Sequence, residues 1–300
     1  MRLTFDPMFL VWTAGPIVVC LGSLKILQVV RKRSPRRAPF TQRLERTPGG
    51  TLLGRIDELS EAITLQAVSL AMLPVVVYAG YITHLHVSGR RADYVSLGLL
   101  AAAVLAGVAY FLYTILKMIK LRRALRLGYI GELTVGQGLN RMMLEGYRVY
   151  HDFPAEGFNI DHIIVGPKGV FAIETKTRSK PVTADRQADA TVTYDGRMLH
   201  FPTGSSHEII DQAKHHGKWL ARWLSQAVGE PLTVRAIVAL PGWLVKRTSP
   251  EGPPVVNPKQ FTSLFEHIPP RPMSPETMAR VVHQLDQRCI DIPTESLLDD

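Results

Sequence analysis

The sequence predicts an α/β domain, a central mixed sheet flanked by helices, preceded by an α-helical transmembrane region. Two apolar stretches in the first half have the length of a bilayer crossing. The second half orders a helix, a run of strands, a helix, a strand and a last helix, as in an α/β sandwich. Charge is split in the same way: residues 1–128 carry 17 Lys/Arg against 6 Asp/Glu, and residues 129–300 carry 18 against 20. The net charge of +9 therefore belongs to the apolar half and reads as membrane topology, not as a nucleic-acid footprint.

In chain order, Met8 to Leu24 is an apolar run with Pro16 inside, read as a first span within residues 1–30. A cleaved signal fits less well, since Arg2 is the only leading side-chain cation and Asp6 follows. Residues 31–62 read as a basic cytoplasmic linker that ends in an amphipathic helix, Thr51 to Leu65, with Leu53, Ile56, Leu59 and Ile63 on one side. Ile63 to Tyr81 and Tyr94 to Leu116 are two further spans, interrupted only by uncharged polar residues such as Gln66 and Ser96, so that 63–116 holds both with a short outside loop.

Residues 117–128 form a basic juxtamembrane segment. Arg31-Lys32-Arg33 follow the first span and Lys117, Lys120, Arg122, Arg123 and Arg126 the last, against Arg90-Arg91 between the other two. By the positive-inside rule the N-terminus is outside and the rest of the chain, from 117, is cytoplasmic, in a multi-pass protein of the plasma (inner) membrane with the lipid bilayer as one partner. Cys20 and Cys289 stand in contexts too different for a bridge or metal site, which is compatible with a reducing compartment.

The cytoplasmic domain is expected over 129–268, with a C-terminal helix and tail over 269–300. An amphipathic helix opens at Gly128 with Ile130, Leu133, Val135 and Leu139 on its apolar side and Glu132 in its first turn. A strand around Tyr147 to His151 follows, then two hairpins, one turned by Gly166-Pro167-Lys168-Gly169 and one by Asp195-Gly196. A helix from His207 to Ala227 carries an apolar stripe of Ile210, Ala213, Gly217, Leu220 and Leu224. Val234 to Leu240 is a strand buried on both faces. Ser274-Pro275 is the N-cap and first-turn proline of the last helix.

The first hairpin, Ile160 to Val165 and Val170 to Thr175, carries the chemistry. If Val165 faces Val170, Asp161 lies opposite Glu174 with Cβ atoms roughly 4.5–5.5 Å apart, and Lys176 follows on the same face. Two carboxylates so close repel unless a cation lies between them, and hard oxygen ligands select Mg²⁺ or Mn²⁺. A metal there polarises a phosphoryl oxygen and activates water, while the lysine offsets developing charge.

The register has an alternative, because Pro167 cannot adopt the positive φ favoured in tight two-residue hairpins. A bulge at Gly169 would pair Gly166 with Val170 and put the two carboxylates on opposite faces. An E-x-K strand can also be a surface ion-pair ladder, but Asp161 and Glu174 have apolar neighbours, where unpartnered charge is costly. His207, His215 and His216 are read as solvated helix residues, and Trp219 and Trp223 as core or rim packing.

Gly131-Glu132, Ile160-Asp161-His162, Val165-Gly166-Pro167, Gly169-Val170-Phe171, Ile173-Glu174-Thr175-Lys176 and Gln212-Ala213, in this order, resemble the nuclease-related domain (NERD) family, itself similar to the PD-(D/E)xK nucleases. The resemblance implies a restriction-endonuclease-like fold. It implies that Asp161 and Glu174 bind the divalent metal, Lys176 orients the attacking water, Glu132 completes the metal or water shell, and Gln212 helps place the metal site or backbone. The expectation is a membrane-anchored, cytoplasm-facing, metal-dependent nuclease that hydrolyses phosphodiester bonds in DNA. The alternative is a non-catalytic nuclease-like module that binds nucleic acid or a partner protein at the membrane.

Overall fold

The computed structural model describes residues 44–89, 91–181 and 190–290. The expected span at Met8 to Leu24 and the basic clusters that follow it lie outside the described residues. The chain divides into two compact units, one holding Ile63–Lys117 and the other Gln42–Ala62 together with Met118–Thr294.

Two long helices supply the described residues of the first unit: α1, Gly50–Ser88, and α2, Tyr94–Asn140. Each is long and apolar enough to cross a membrane by length and composition. Leu65, Val75, Leu99 and Leu105 on them are more than half exposed. Within this unit Tyr81 Oη lies 2.9 Å from Ser96 Oγ. A Cβ on Gly107 would stand 2.6 Å from Leu73 Cδ2, so glycine permits the close approach of the two helices there.

Two boundaries differ from the sequence reading. The amphipathic helix expected from Thr51 and the span expected from Ile63 are one helix, α1, and nothing in Ala62-Ile63 breaks a helix. The helix expected to open at Gly128 is the last part of α2, so Glu132 sits well inside a helix instead of in its first turn. An isolated glycine is tolerated in a helix at about 1 kcal/mol relative to alanine. Gly128 also has a packing reason, since a Cβ there would lie 3.2 Å from Leu52.

The second unit is a mixed α/β structure. Its main sheet has the order β1-β2-β3-β7-β9, with β1 Arg148–Pro154, β2 Asn159–Gly166, β3 Gly169–Thr175, β7 Val234–Ala239 and β9 Val255–Val256. β1, β2 and β3 are antiparallel neighbours, and β7 joins β3 in parallel. A smaller sheet has the order β6-β5-β4-β8, where β4 Thr191–Tyr194 and β5 Leu199–Phe201 form the hairpin expected at Asp195-Gly196. β6 is Gly204–Ser206 and β8 is Leu244–Arg247.

Helices cover both faces of the main sheet, which is why β2 and β3 read as near-continuous apolar runs instead of alternating. On one face Val135 and Leu139 of α2 meet Ile164, Phe171, Ile173 and Ile237. On the other, α3 (Glu208–Val228) and α5 (Pro275–Cys289) bring Leu220, Leu224, Val281 and Leu285 against Ile163, Val165, Val170 and Ala172. A short helix, α4 (Phe261–His267), adds Phe261 and Phe265 to the first face. Ser274 Oγ accepts from Thr277 N at 3.1 Å and Pro275 follows it, the start predicted for the last helix.

The hairpin adopts the two-residue connection, with Gly166 paired to Gly169 and Val165 to Val170. Among the described non-glycine residues only Asp152 has a positive φ, so Lys168 avoids one and the left-handed twist falls on Gly169, at φ 112°. The proline objection is met by moving the unusual dihedral to the glycine.

The described part of the stretch expected to be a linker, residues 44–62, belongs to the second unit. Asp152, buried in β1 at φ 49°, holds it. Its Oδ2 accepts from Thr51 N at 2.9 Å, Thr51 Oγ1 at 2.7 Å and Arg46 Nη1 at 3.1 Å, while Oδ1 accepts from Asn159 Nδ2 at 2.9 Å. A carboxylate at the N-terminus of α1 satisfies donors the helix cannot pair internally.

Candidate active site

Alternate side chains of a strand share a face. One step beyond the last ladder pair, His162 with Ile173, the same register brings Asp161 level with Glu174. Asp161 thus shares its face with Ile163 and Val165, Glu174 with Ala172 and Val170, and all lie on the side covered by α3 and α5. The carboxylates are on one face, and the bulged alternative is not adopted.

Glu174 is 1% exposed. Its Oε1 lies 2.8 Å from Lys176 Nζ and its Oε2 lies 2.8 Å from His216 Nδ1. Both contacts are short but poorly aligned, so neither oxygen receives a directional hydrogen bond. Burial pushes the Glu174 carboxyl up, but His216 and Lys176 together outweigh it and hold the group below its ordinary value. Burial likewise works against the Lys176 ammonium, and Glu174, Asp161 and Glu132 overcome it and raise its pKa.

Asp161 is held by the backbone, its Oδ2 accepting from Thr175 N at 2.7 Å. Burial and then the charges of Glu174 and Glu132 push its pKa well above the usual carboxylate range. Glu132 is buried too, and burial, followed by Asp152 and Glu174, lifts it to about 7. The Gly49 N–H, from the segment that precedes α1, donates to it. Helix α2, strands β2 and β3 and residues 44–62 therefore converge on one acidic cluster around one ammonium. That Glu132 stands close enough to feel Asp152 and Glu174 follows from the fold, not from its sequence spacing.

His216 departs from the sequence reading. It is 4% exposed, contacts Glu174, and its ring is stacked on Phe158 at 4.6 Å and 13°. Adjacent His215 and His216 do point to different parts of the helix, but the inward one belongs to the site. The missed signal was the stripe itself: His216 stands between Ala213 and Leu220, three and four residues away, on the buried side. Gln212 lies one turn before His216 and is exposed. Trp219 and Trp223 stack on each other and pack on the core beside Phe153.

Sequence reasoning also left a buried polar chain unread. His151 Nδ1 lies 2.8 Å from His162 Nδ1, His151 Nε2 lies 3.0 Å from Asn140 Oδ1, and His162 Nε2 lies 3.1 Å from Thr175 Oγ1. Because Asn140 Oδ1 only accepts, His151 carries its proton on Nε2, His162 donates from Nδ1, and the Thr175 hydroxyl donates to His162 Nε2. Burial drives both imidazoles toward the neutral form, His151 down to about 4 and His162, beside it, well below its ordinary value. The chain ends on Thr175, whose N–H holds Asp161.

Among the described residues no group of three or more His, Cys, Asp and Glu side chains is disposed to hold a metal ion as it stands. Donor type and charge do fit a hard cation: two co-facing carboxylates, one with both oxygens buried and lacking aligned donors. Mg²⁺ is commonly held by one or two carboxylates plus waters and substrate phosphates, so a full protein cage is not required.

The family model of the nuclease-related domain (NERD) matches residues 127–241. The match opens just before Gly131-Glu132 and closes just after β7, enclosing Glu132, Asp161, Glu174, Lys176 and His216. No curated protein and no solved structure gives a significant match to the chain.

Proposed function

We propose that the second unit is a Mg²⁺- or Mn²⁺-dependent nuclease domain with a restriction-endonuclease-like fold, which hydrolyses phosphodiester bonds, in DNA before RNA. The carrying observation is the buried Glu174 carboxylate, which has Lys176 at 2.8 Å and Asp161 on its face. Together with the nuclease-related match, this favours phosphoryl chemistry over a structural ion pair.

In this proposal Asp161 and Glu174 would hold the cation, and Glu132 would complete the metal or water shell. The cation, when bound, polarises the phosphoryl oxygen and lowers the pKa of water. Thr175 N–H fixes Asp161, and His216, stacked on Phe158, stands 2.8 Å from the second oxygen of Glu174. Lys176, half-buried, keeps one side open for a phosphate oxygen or the attacking water. Glu132, with a pKa near 7, is suited to accept a proton at neutral pH. Gln212, exposed one turn ahead of His216, is assigned by resemblance to placing the metal site or backbone.

The apolar helices α1 and α2 are proposed as membrane anchors of a multi-pass protein, with the domain on the cytoplasmic side by the positive-inside rule. Alkaline phosphatase fused to the C-terminus should stay inactive, since it needs disulfides formed outside the cytoplasm. Active reporter overturns this orientation.

The activity test uses the full chain in detergent with Mg²⁺ or Mn²⁺ on plasmid DNA, single-stranded DNA and RNA. Glu174→Gln and Lys176→Ala should each lower the cleavage rate by roughly 100-fold or more. Equal cutting by wild type and both variants would remove this site from the reaction. The non-catalytic module has one observation in its favour: Glu174 already lies between two nitrogen partners, and among the described residues no third ligand is in place. Binding without cleavage under either metal would select it.

A further inference from the structure

We propose that a basic groove along the open edge of β7 seats the sugar-phosphate backbone of the nucleic-acid substrate next to the acidic cluster. This rests on the phosphodiester reading above and supplies what the near-neutral charge of residues 129–300 withheld, a surface with the right sign. The groove has a volume of about 700 Å³ and is lined by Lys214, Lys218, Arg235 and Arg271, with no carboxylate residue among its lining. In a segment with 18 Lys/Arg against 20 Asp/Glu, four cations around one cavity are a local excess. None of the four makes an ion pair with a carboxylate among the described residues.

The position of the groove follows from the topology. β9 pairs with β7 only at Val238 and Ala239, so the edge from Val234 to Ala236 is left open. Val238 is the partner of Glu174. Ala236 lies two residues upstream, roughly 7 Å along the strand, and its side chain is on the α3 side, where a Cβ on Gly217 would stand 3.3 Å from it. With one strand spacing of about 4.8 Å between β7 and β3, the floor of the groove thus begins roughly 8 Å from Glu174, on its face of the sheet.

The walls divide the work. Arg235 is fixed: its guanidinium donates to the carbonyls of Lys168 and Pro269 and lies 4.2 Å over the Phe171 ring, so it contributes a stationary positive charge. Lys214 and Lys218, one helical turn apart on α3, and Arg271 are exposed and free to reach a phosphate. Ammonium and guanidinium groups without a sequence-reading partner position a backbone instead of recognising bases.

The test is fluorescence anisotropy of a labelled DNA duplex titrated with the full chain in EDTA, so that binding is read without cleavage. Lys214→Glu/Lys218→Glu should weaken binding at least tenfold near 0.1 M salt and reduce the log Kd against log salt slope by about 2. Lys246→Glu, on exposed β8, should change neither by comparison, and Lys214→Gln/Lys218→Gln should give an intermediate loss with less risk to folding. Unchanged affinity and slope in both groove variants, with DNA still bound by wild type, overturn the groove and leave the nuclease reading standing. Failure of wild type to bind this duplex overturns the groove, and the nuclease reading falls with it only if DNA and RNA are also left uncut with Mg²⁺ or Mn²⁺ present. If the reversal instead abolishes binding to phosphatidylglycerol vesicles and spares DNA, the groove serves lipid and the proposal fails.

Discussion

Glu132→Gln is expected to stabilise the second unit at alkaline pH and leave it unchanged in acid. Glu132 is buried against Asp152 and Glu174, and its pKa rises from 4.5 to about 7. At 1.36 kcal/mol per pKa unit, ionising it in the folded state costs roughly 3 kcal/mol. The folded protein holds the proton longer than the unfolded chain, so stability falls as pH rises from 4.5 to 7, and the loss is complete above that window. Glutamine carries no such cost. The difference between variant and wild type should be near zero at pH 4.5 and grow to roughly 3 kcal/mol at pH 8, a rise of roughly 6–12 °C in Tm for a unit of this size. Tryptophan fluorescence melts report mainly on this unit, because three of the four tryptophans of the chain, Trp219, Trp223 and Trp243, lie in it. Millimolar Mn²⁺ at pH 8 should raise the wild-type Tm more than that of the variant, since a bound cation relieves the same repulsion. Equal melting of the two proteins at pH 4.5 and pH 8 refutes the assignment of a strained carboxyl to Glu132.

Acid should destabilise the unit through His151, whose pKa of about 4 lies below the ordinary 6.5; its contribution, roughly 3 kcal/mol, is complete above pH 6.5 and lost as pH falls toward 4. A melting temperature flat over that window, after other titrating groups are matched in a His151→Asn comparison, would contradict this. Gly131→Ala should cost about 1–3 kcal/mol by denaturant melts, because the new Cβ would stand 2.0 Å from Thr177 Cγ2. Asp152→Ala should cost about 2–4 kcal/mol, since four donors lose their acceptor, and it should expose residues 44–62 to protease before the rest of the unit.

The sheet was legible where turn chemistry and β-branched runs coincide, as at Val165-Gly166 with Gly169-Val170 and at Asp195-Gly196. The carboxylate pair could be read because antiparallel register is arithmetic once the turn is known. His216 could not, because its role depends on where α3 lies over β3, and nothing local in two adjacent histidines shows which one faces inward. Gly128 misled for a related reason: its punctuating value as a helix breaker was outweighed by packing against Leu52, 3.2 Å from its would-be Cβ. The histidine chain through Thr175 was hidden by long-range closure, with His151 and His162 brought together only by β1-β2 pairing.

The contact of Thr51 with Asp152 joins residues 101 apart in sequence, and its consequence concerns the order of synthesis. Residues 44–62 leave the ribosome first, and the strand that holds them follows about 5–20 s later at 5–20 residues per second. During that interval both apolar helices are made, so the first helical turns of α1 wait without the carboxylate that caps them. The second unit can close only after the whole segment between its two pieces has been made.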